Sequence, residues 1–157
     1  MTKVFDGRYT AMLEKPVVLF VIGMRVNQVW NVRKWWPVTT AMPRMLRELH
    51  SKPDCGFLGV RSYFSGRVLM NIQYWRSFDE LLAYAHDKTG EHFPAWAAFN
   101  RSIGGNGTVG IWHETYLVEP GKVECIYGNM PLFGLAAATS HVKAAGRLAA
   151  AKDRMAG

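Results

Sequence analysis

Cysteine is scarce in this chain. Cys55 and Cys125 are its only two, seventy positions apart and in no CxxC pair, so neither a disulfide framework nor a thiolate zinc site is indicated. Reduced, structural cysteines are expected. Long apolar runs are missing as well: Val17 to Met24, counting Gly23, is about half of the roughly 20 residues that a membrane-spanning helix needs, so no span is expected. The first sixteen residues carry Asp6, Arg8, Glu14 and Lys15 and hold nothing like the apolar core of a signal peptide. They read as a polar leader, 1–16, on a cytoplasmic protein. There is no HExxH, no GxxxxGK[ST], no serine nucleophile elbow and no paired-carboxylate spacing, which sets aside metalloprotease, nucleotide-phosphate and α/β-hydrolase readings. Gly104, Gly105 and Gly107 precede a strand rather than open a helix, so they read as a turn.

What is present is a folding composition. Of 157 residues, 49% are apolar, 13% aromatic and 20% charged, which predicts one domain with a core and excludes intrinsic disorder. Nineteen Lys and Arg against twelve Asp and Glu leave +7. The positive residues gather in two helical stretches, Arg25, Arg33, Lys34, Arg44 and Arg47 in one, Lys143, Arg147, Lys152 and Arg154 in the other, with no like-charge run longer than two. They read as solvated helix faces; without a recognised binding module, no nucleic-acid partner is expected.

Along the chain, Val17 to Arg25 is a β-branched and aromatic run with the length of a buried strand. From Asn31 to about Ser51 the apolar positions Val32, Trp35, Trp36, Val38, Met42, Met45, Leu46 and Leu49 recur at three and four, a helix period. Pro37 and Pro43 fall inside it, so either a kink or a start near Pro37 is expected. Phe57 to Phe64 and Arg67 to Trp75 read as a hairpin joined by Ser65 and Gly66. In the second strand Val68, Met70, Ile72 and Tyr74 share one face, expected to meet the helices, and Leu69, Asn71, Gln73 and Trp75 share the other. Ser77 and Glu80 have the capping-box spacing and start a helix through about His86; a further helix runs from His92 to Arg101, ended by the three glycines. Thr108 to Val118 is the last clear strand, Val123 to Tyr127 is strand-like, and the Ala-rich tail from Leu135 to Met155 has helical composition.

The order βαββαβ over 17–118 is that of a ferredoxin-like α+β fold: one antiparallel sheet with helices on one face, extended by 119–157 within the same domain. Such a sheet leaves a half-apolar face that needs a partner.

Specific residues carry a family pattern. Trp75 at a strand end, Ser77, Leu81, Leu82 and Tyr84 in the next helix, and His92 opening the following one resemble the antibiotic-biosynthesis monooxygenase (ABM) group of dimeric α/β barrels. The strings VRKWWP (32–37), AMPRMLR (41–47), YFSG (63–66), QYWRSF (73–78), PAWAAFNR (94–101), GIWHETY (110–116) and YGNMP (127–131) are similar to a bacterial and fungal family grouped with the ABM-like monooxygenase of fumagillin biosynthesis. The resemblance implies a homodimer whose two sheets close into a barrel, with a pocket between sheet and helices in each protomer. It implies a monooxygenase acting on a hydrophobic polycyclic, terpenoid or polyketide molecule with no cofactor, or alternatively a haem enzyme of the same fold, dehydratase-like or haem-degrading. A pocket-facing helix position that is often His in the first branch, or Trp in the haem degraders, is Tyr84 here.

Candidate site residues follow from chemistry. His113, mid-strand, is a candidate base or, in the haem alternative, with His92 a candidate iron ligand; a structural histidine at the sheet is the other reading. Strand alternation groups His113 with Ile111, Thr115 and Leu117, and Trp112 with Glu114 and Tyr116. Asn71 and Gln73 are uncharged amides able to hold an enolate oxygen or dioxygen, or else cross-strand pairs. Trp75, Tyr84, Trp36, Trp112, Tyr63 and His92 are candidate substrate-binding residues, against aromatic packing as the plainer alternative. Trp30, Trp35 and Trp36 around Arg33 and Lys34 fit a core, a lid or an interfacial anchor. A non-catalytic dimer that sequesters an apolar ligand is the competing class.

Overall fold

The computed structural model describes residues 2–102 and 105–155; Gly104 lies outside the described residues. Four strands form the main antiparallel sheet: β2 (Val17–Val26), β3 (Phe57–Ser65), β4 (Val68–Trp75) and β5 (Val109–Val118), in the order β3-β4-β2-β5. With α1 (Val32–Ser51) between β2 and β3, and α2 (Phe78–His86) and α3 (His92–Ser102) between β4 and β5, this is the ferredoxin-like βαββαβ arrangement. β4 and β2 take the two central positions, each paired on both sides; the apolar run of β2 pairs Val18 with Trp75 and Leu117, Ile22 with Asn71 and His113, and Met24 with Leu69 and Ile111.

Even-numbered residues of β2 face the helices. Val18 packs with Leu49 of α1, Leu81 of α2 and the fully buried Trp75, while Met24, Val26 and Val109 pack with Trp35, Val38 and Phe99. This reverses the faces expected for β4. Asn71, Gln73 and Trp75 lie buried on the helix side, whereas Tyr74, on the other side, packs against Leu135 and Ala136. The large indole of Trp75 fills the space between β2, α1 and α2, and the row that carries it is thereby the inner one.

α1 begins at Val32, not near Pro37, and continues through both prolines. Pro37 and Pro43 occupy exposed positions, where the carbonyls that lose an N–H partner can take water, and the Trp36 carbonyl accepts from the hydroxyls of Thr39 (2.8 Å) and Thr40 (3.2 Å). α2 opens as expected: the Ser77 hydroxyl accepts the Glu80 N–H at 3.2 Å and donates to its carboxylate at 3.1 Å.

The polar segment 1–16 carries no strand signal, yet it holds β1 (Phe5–Thr10). β1 lies between β6 (Tyr127–Met130) and β7 (Val142–Lys143) in a second, three-stranded sheet. The strand expected over 123–127 therefore starts only at Tyr127, where pairing with Tyr9 begins. The Ala-rich tail is not one helix: α4 (Gly134–Ala138), β7 and α5 (Ala151–Met155) divide it. Its end is held by the buried Arg154, whose guanidinium donates to Glu124 (2.7 Å) and to the carbonyls of Leu148 and Ala149 (both 2.8 Å). The second sheet joins the first through Ala11, Val17, Leu135 and Ala136. Arg61 extends the join by donating to the Leu132 carbonyl at 2.6 Å and lying over the Phe133 ring. This covers part of the outer face of the main sheet; Tyr116, at 48% exposure, stands on the part left open. Cys55 and Cys125 are both free thiols.

Candidate active site

A cavity of about 910 Å³ lies between the inner sheet face and the three helices, within the range of small-molecule sites. Its walls are apolar: Phe20, Ile22 and Met24 from β2, Met42, Met45 and Leu46 from α1, Leu81 and Leu82 from α2, Trp96 and Phe99 from α3. No Asp, Glu, Lys or Arg is among the described lining residues, and the polar groups are few, chiefly Asn71, Ser62, His113, Thr115 and His92.

Register brings the sheet's share of these groups together. Ser62, Asn71, Ile22 and His113 are successive partners across β3, β4, β2 and β5, so they form one row over the cavity. Asn71 and His113 stand two strand spacings apart, about 10 Å, on either side of Ile22. The Ser62 hydroxyl donates to Asn71 Oδ1 at 2.6 Å. That fixes the amide and leaves its NH₂ as the donor end. His113 is exposed to the cavity and its ring centroid lies 5.6 Å from that of Phe20.

His92 enters from the opposite wall. Its Nδ1 lies 2.9 Å from the Ala85 carbonyl, which can only accept, so Nδ1 carries the proton and Nε2 keeps its lone pair. Burial lowers its pKa from the ordinary value near 6.5, with the nearby His86 adding to that and the Ala85 carbonyl opposing it. The ring is thus a neutral acceptor at pH 7.

Behind this wall is a half-buried polar support. Glu48 of α1 accepts from Lys52 (2.7 Å), the Glu91 N–H (2.9 Å) and the Tyr84 hydroxyl (3.2 Å), tying α1, α2 and the start of α3 together. Burial opposes its charge, but Lys52, the Glu91 N–H and Tyr84 outweigh it and hold the carboxyl below the usual carboxylate range. Burial, then the Glu48 charge, pushes the Tyr84 hydroxyl up, so it stays a donor. The Tyr84 ring bridges Trp75 (5.7 Å) and His92 (6.0 Å).

The candidates from sequence therefore divide. His113, Asn71 and His92 line the cavity. Gln73 does not: its Oε1 accepts the Trp75 indole N–H at 2.9 Å, deep in the core. Trp75 and Tyr84 pack beneath the site rather than in it, because both fill the layer between β4 and α2. Trp112 and Tyr63 border the cavity from residues that alternate to the outer sheet face; the Trp112 ring lies over Gly23, where a Cβ would come within 2.2 Å of it. Trp36 lines a separate cleft of about 290 Å³ with Trp35, Phe64 and Arg67. Ser62 and Thr115 escape a reading by residue type; only the strand register, pairing Ser62 with Asn71 and Thr115 with Phe20, reveals them.

A haem fits these residues poorly. Nε2 of His92 offers an imidazole ligand, but the two carboxylates that a haem carries would meet no Lys or Arg among the described lining residues. The described residues also contain no group of three or more His, Cys, Asp or Glu able to hold a metal ion.

Comparison with known proteins adds an independent line. The chain is similar to Monooxygenase af470 of Aspergillus fumigatus, 24% identical over 149 residues, covering 82% of this chain and 53% of the relative. Among solved structures it is similar to an aldoxime dehydratase, with a TM-score of 0.64 and 18% identity over 88% of this chain and 43% of the other. It is also similar to SnoaB, a cofactor-independent oxygenase from Streptomyces nogalater, with a TM-score of 0.47 and 14% identity over 66% of this chain and 93% of the other. The chain spans about half the length of the curated relative and less than half of the dehydratase. The model of the monooxygenase af470-like family matches residues 17–135, the whole βαββαβ unit through the start of α4, and the chain belongs to that family.

Proposed function

We propose that this protein is a monooxygenase-type enzyme acting on a hydrophobic, polycyclic or terpenoid-like small molecule held in the 910 Å³ cavity. The observation that carries this reading is the cavity's chemistry: apolar walls and a short row of uncharged hydrogen-bonding groups over one region of them. An apolar guest gains affinity from the walls and orientation from the row. His113 takes a proton from an activated carbon of the guest, and the Asn71 amide, held by Ser62, stabilises the oxygen on which the resulting negative charge settles. Dioxygen then reacts with the carbanion; a methylene becomes a carbonyl, the second oxygen leaves as water, and the electrons come from the substrate. His92 Nε2 is a second acceptor for a hydroxyl of the guest. Family membership and the likeness to Monooxygenase af470 support the oxygenase class. The open outer face of the main sheet supports a homodimer closing sheet against sheet.

Oxygen uptake and ¹⁸O incorporation across a panel of electron-rich polycyclic phenols and terpenoids test the reading. His113→Ala is expected to lower turnover by at least about 100-fold without loss of folded protein, since its ring is exposed. Guests recovered chemically unchanged in air across the panel would leave a binding protein instead.

A further inference from the structure

One end of the molecule combines exposed aromatic rings with positive charge. The end of β2, the β3–β4 turn, the loop leading into α1 and the start of β5 meet there: the Val26 N–H donates to the Arg67 carbonyl and the Asn27 N–H to that of Thr108, both at 2.9 Å. Trp30, Phe64 and Trp36 protrude from this end with 76%, 72% and 59% of their surface exposed. Side chains of that size exposed together mark a contact surface rather than chance. The loop that presents Trp30 is held in place, because the Trp35 indole N–H donates to the Val29 carbonyl at 3.0 Å while its ring packs in the core.

Charge identifies the contact. Arg25 near the end of β2, Arg33 and Lys34 at the start of α1 and Arg67 in the β3–β4 turn are exposed on the segments that meet at this end. From Arg25 to Arg47 the chain has five cations and no acidic residue, and from Arg61 to Phe78 it again has none. A second copy docking here about a two-fold axis would set the same cations against one another with no acid between them. An anionic lipid surface has the opposite charge and an apolar layer at the depth that tryptophan and phenylalanine rings reach.

We infer that this end docks peripherally on an anionic bilayer, Trp30, Trp36 and Phe64 entering the headgroup boundary and Arg25, Arg33, Lys34 and Arg67 facing lipid phosphates. No helix of the described residues is long and apolar enough to cross a membrane, so attachment is to one leaflet surface. The cleft lined by Trp36 and Phe64 shares Thr39, Phe64 and Leu69 with the large cavity. Docking therefore sets the cavity wall beside the lipid, and, if the proposed reaction holds, gives an apolar substrate a route that avoids water.

Co-sedimentation of the full chain with phosphatidylcholine vesicles, with and without phosphatidylglycerol, tests this without any substrate and so independently of the reaction. Binding is expected only with phosphatidylglycerol and is expected to fall as salt is raised. The double variants Trp30→Ala/Trp36→Ala and Arg33→Glu/Lys34→Glu should each lower partitioning about tenfold or more while the circular dichroism of the folded protein is kept, since all four residues are exposed. Equal binding to both vesicle types, or none, would overturn the inference, as would charge reversal without effect. Light scattering that shows the aromatic variant changing the oligomeric state would assign the surface to self-association instead.

Discussion

Gln73 offers a sharp test of how the site is built. By residue type it is a candidate to hold a reacting oxygen; in the fold its Oε1 is the acceptor for the indole N–H of Trp75, with 4% and 0% of the two residues exposed. Gln73→Leu keeps the approximate volume and removes the acceptor, leaving a buried N–H without a partner, at a cost of about 1–3 kcal/mol. For a chain of this size each kcal/mol moves the melting temperature by about 2–4 °C, so a mid-range loss lowers it by about 6 °C. Trp75→Phe removes the donor and leaves a void among Val18, Leu49 and Leu81, costing about 2 kcal/mol or more. In the double variant the orphaned groups vanish together, so Gln73→Leu should cost about 1 kcal/mol less when Trp75→Phe is already present than alone. Urea and thermal melts of the four proteins give the cycle; turnover per folded molecule should change little, because neither residue lines the cavity. An unshifted melting temperature with turnover lost in Gln73→Leu would refute this reasoning and return Gln73 to the reacting centre.

Two further outcomes follow from other contacts. His92 is held below its ordinary pKa near 6.5 by burial, so the folded state binds fewer protons than the unfolded one; its contribution to stability is full above that pH and is lost as pH falls through the folded value. Melts from about pH 8 to 5 should show a steeper acid-side decline in the wild type than in His92→Gln, which can still donate to the Ala85 carbonyl, and parallel curves would remove burial of the imidazole as the cause. Gly23→Ala puts a methyl 2.2 Å from the Trp112 ring and should cost about 1–3 kcal/mol, largely recovered by adding Trp112→Leu; a neutral single substitution would mean that the ring does not cover the glycine.

Local pattern made the main sheet and its helices legible because each carries its own signal. β2 is a continuous apolar run, α2 opens on a capping box, and α1 and α3 repeat apolar residues at helical spacing. β1 of the second sheet has no such signal. β1 reads FDGRYT, with Gly7 at a φ of +91° and a register shift between Phe5 and Arg8, and its partners lie more than a hundred residues away; the Gly7 N–H donates to the side chain of Asn129, 122 positions on, at 2.9 Å. Pairing over that separation is a property of the folded chain, invisible in a window of sequence. Pro37 misdirects for a different reason: it suggests a kink or a helix start near it, but α1 begins at Val32, and at exposed positions of an amphipathic helix the carbonyls that lose an N–H partner can take water.

At the site, alternation reveals which residues of a strand stand together but not which way they face. In β4 the set Val68, Met70, Ile72 and Tyr74 is the more apolar of the two, since the other carries Asn71 and Gln73, yet the volume of Trp75 fills the space under α1 and α2 and takes its set inward. Register has a finer dependence. A hairpin turned at Ser65 and Gly66 would set Asn71 opposite Val60, whereas the chain turns at Gly66 and Arg67, Ser65 pairs with Val68, and Asn71 meets Ser62. Gly66 sits at a φ of +55° as the first of the two loop residues, a place that suits glycine and not serine, so the turn closes there. Moving the turn by one residue keeps Asn71 on the inner face but replaces a hydroxyl donor with a valine. The fixed orientation of the amide over the cavity thus rests on the backbone freedom of one glycine, five residues away in sequence and outside the cavity lining.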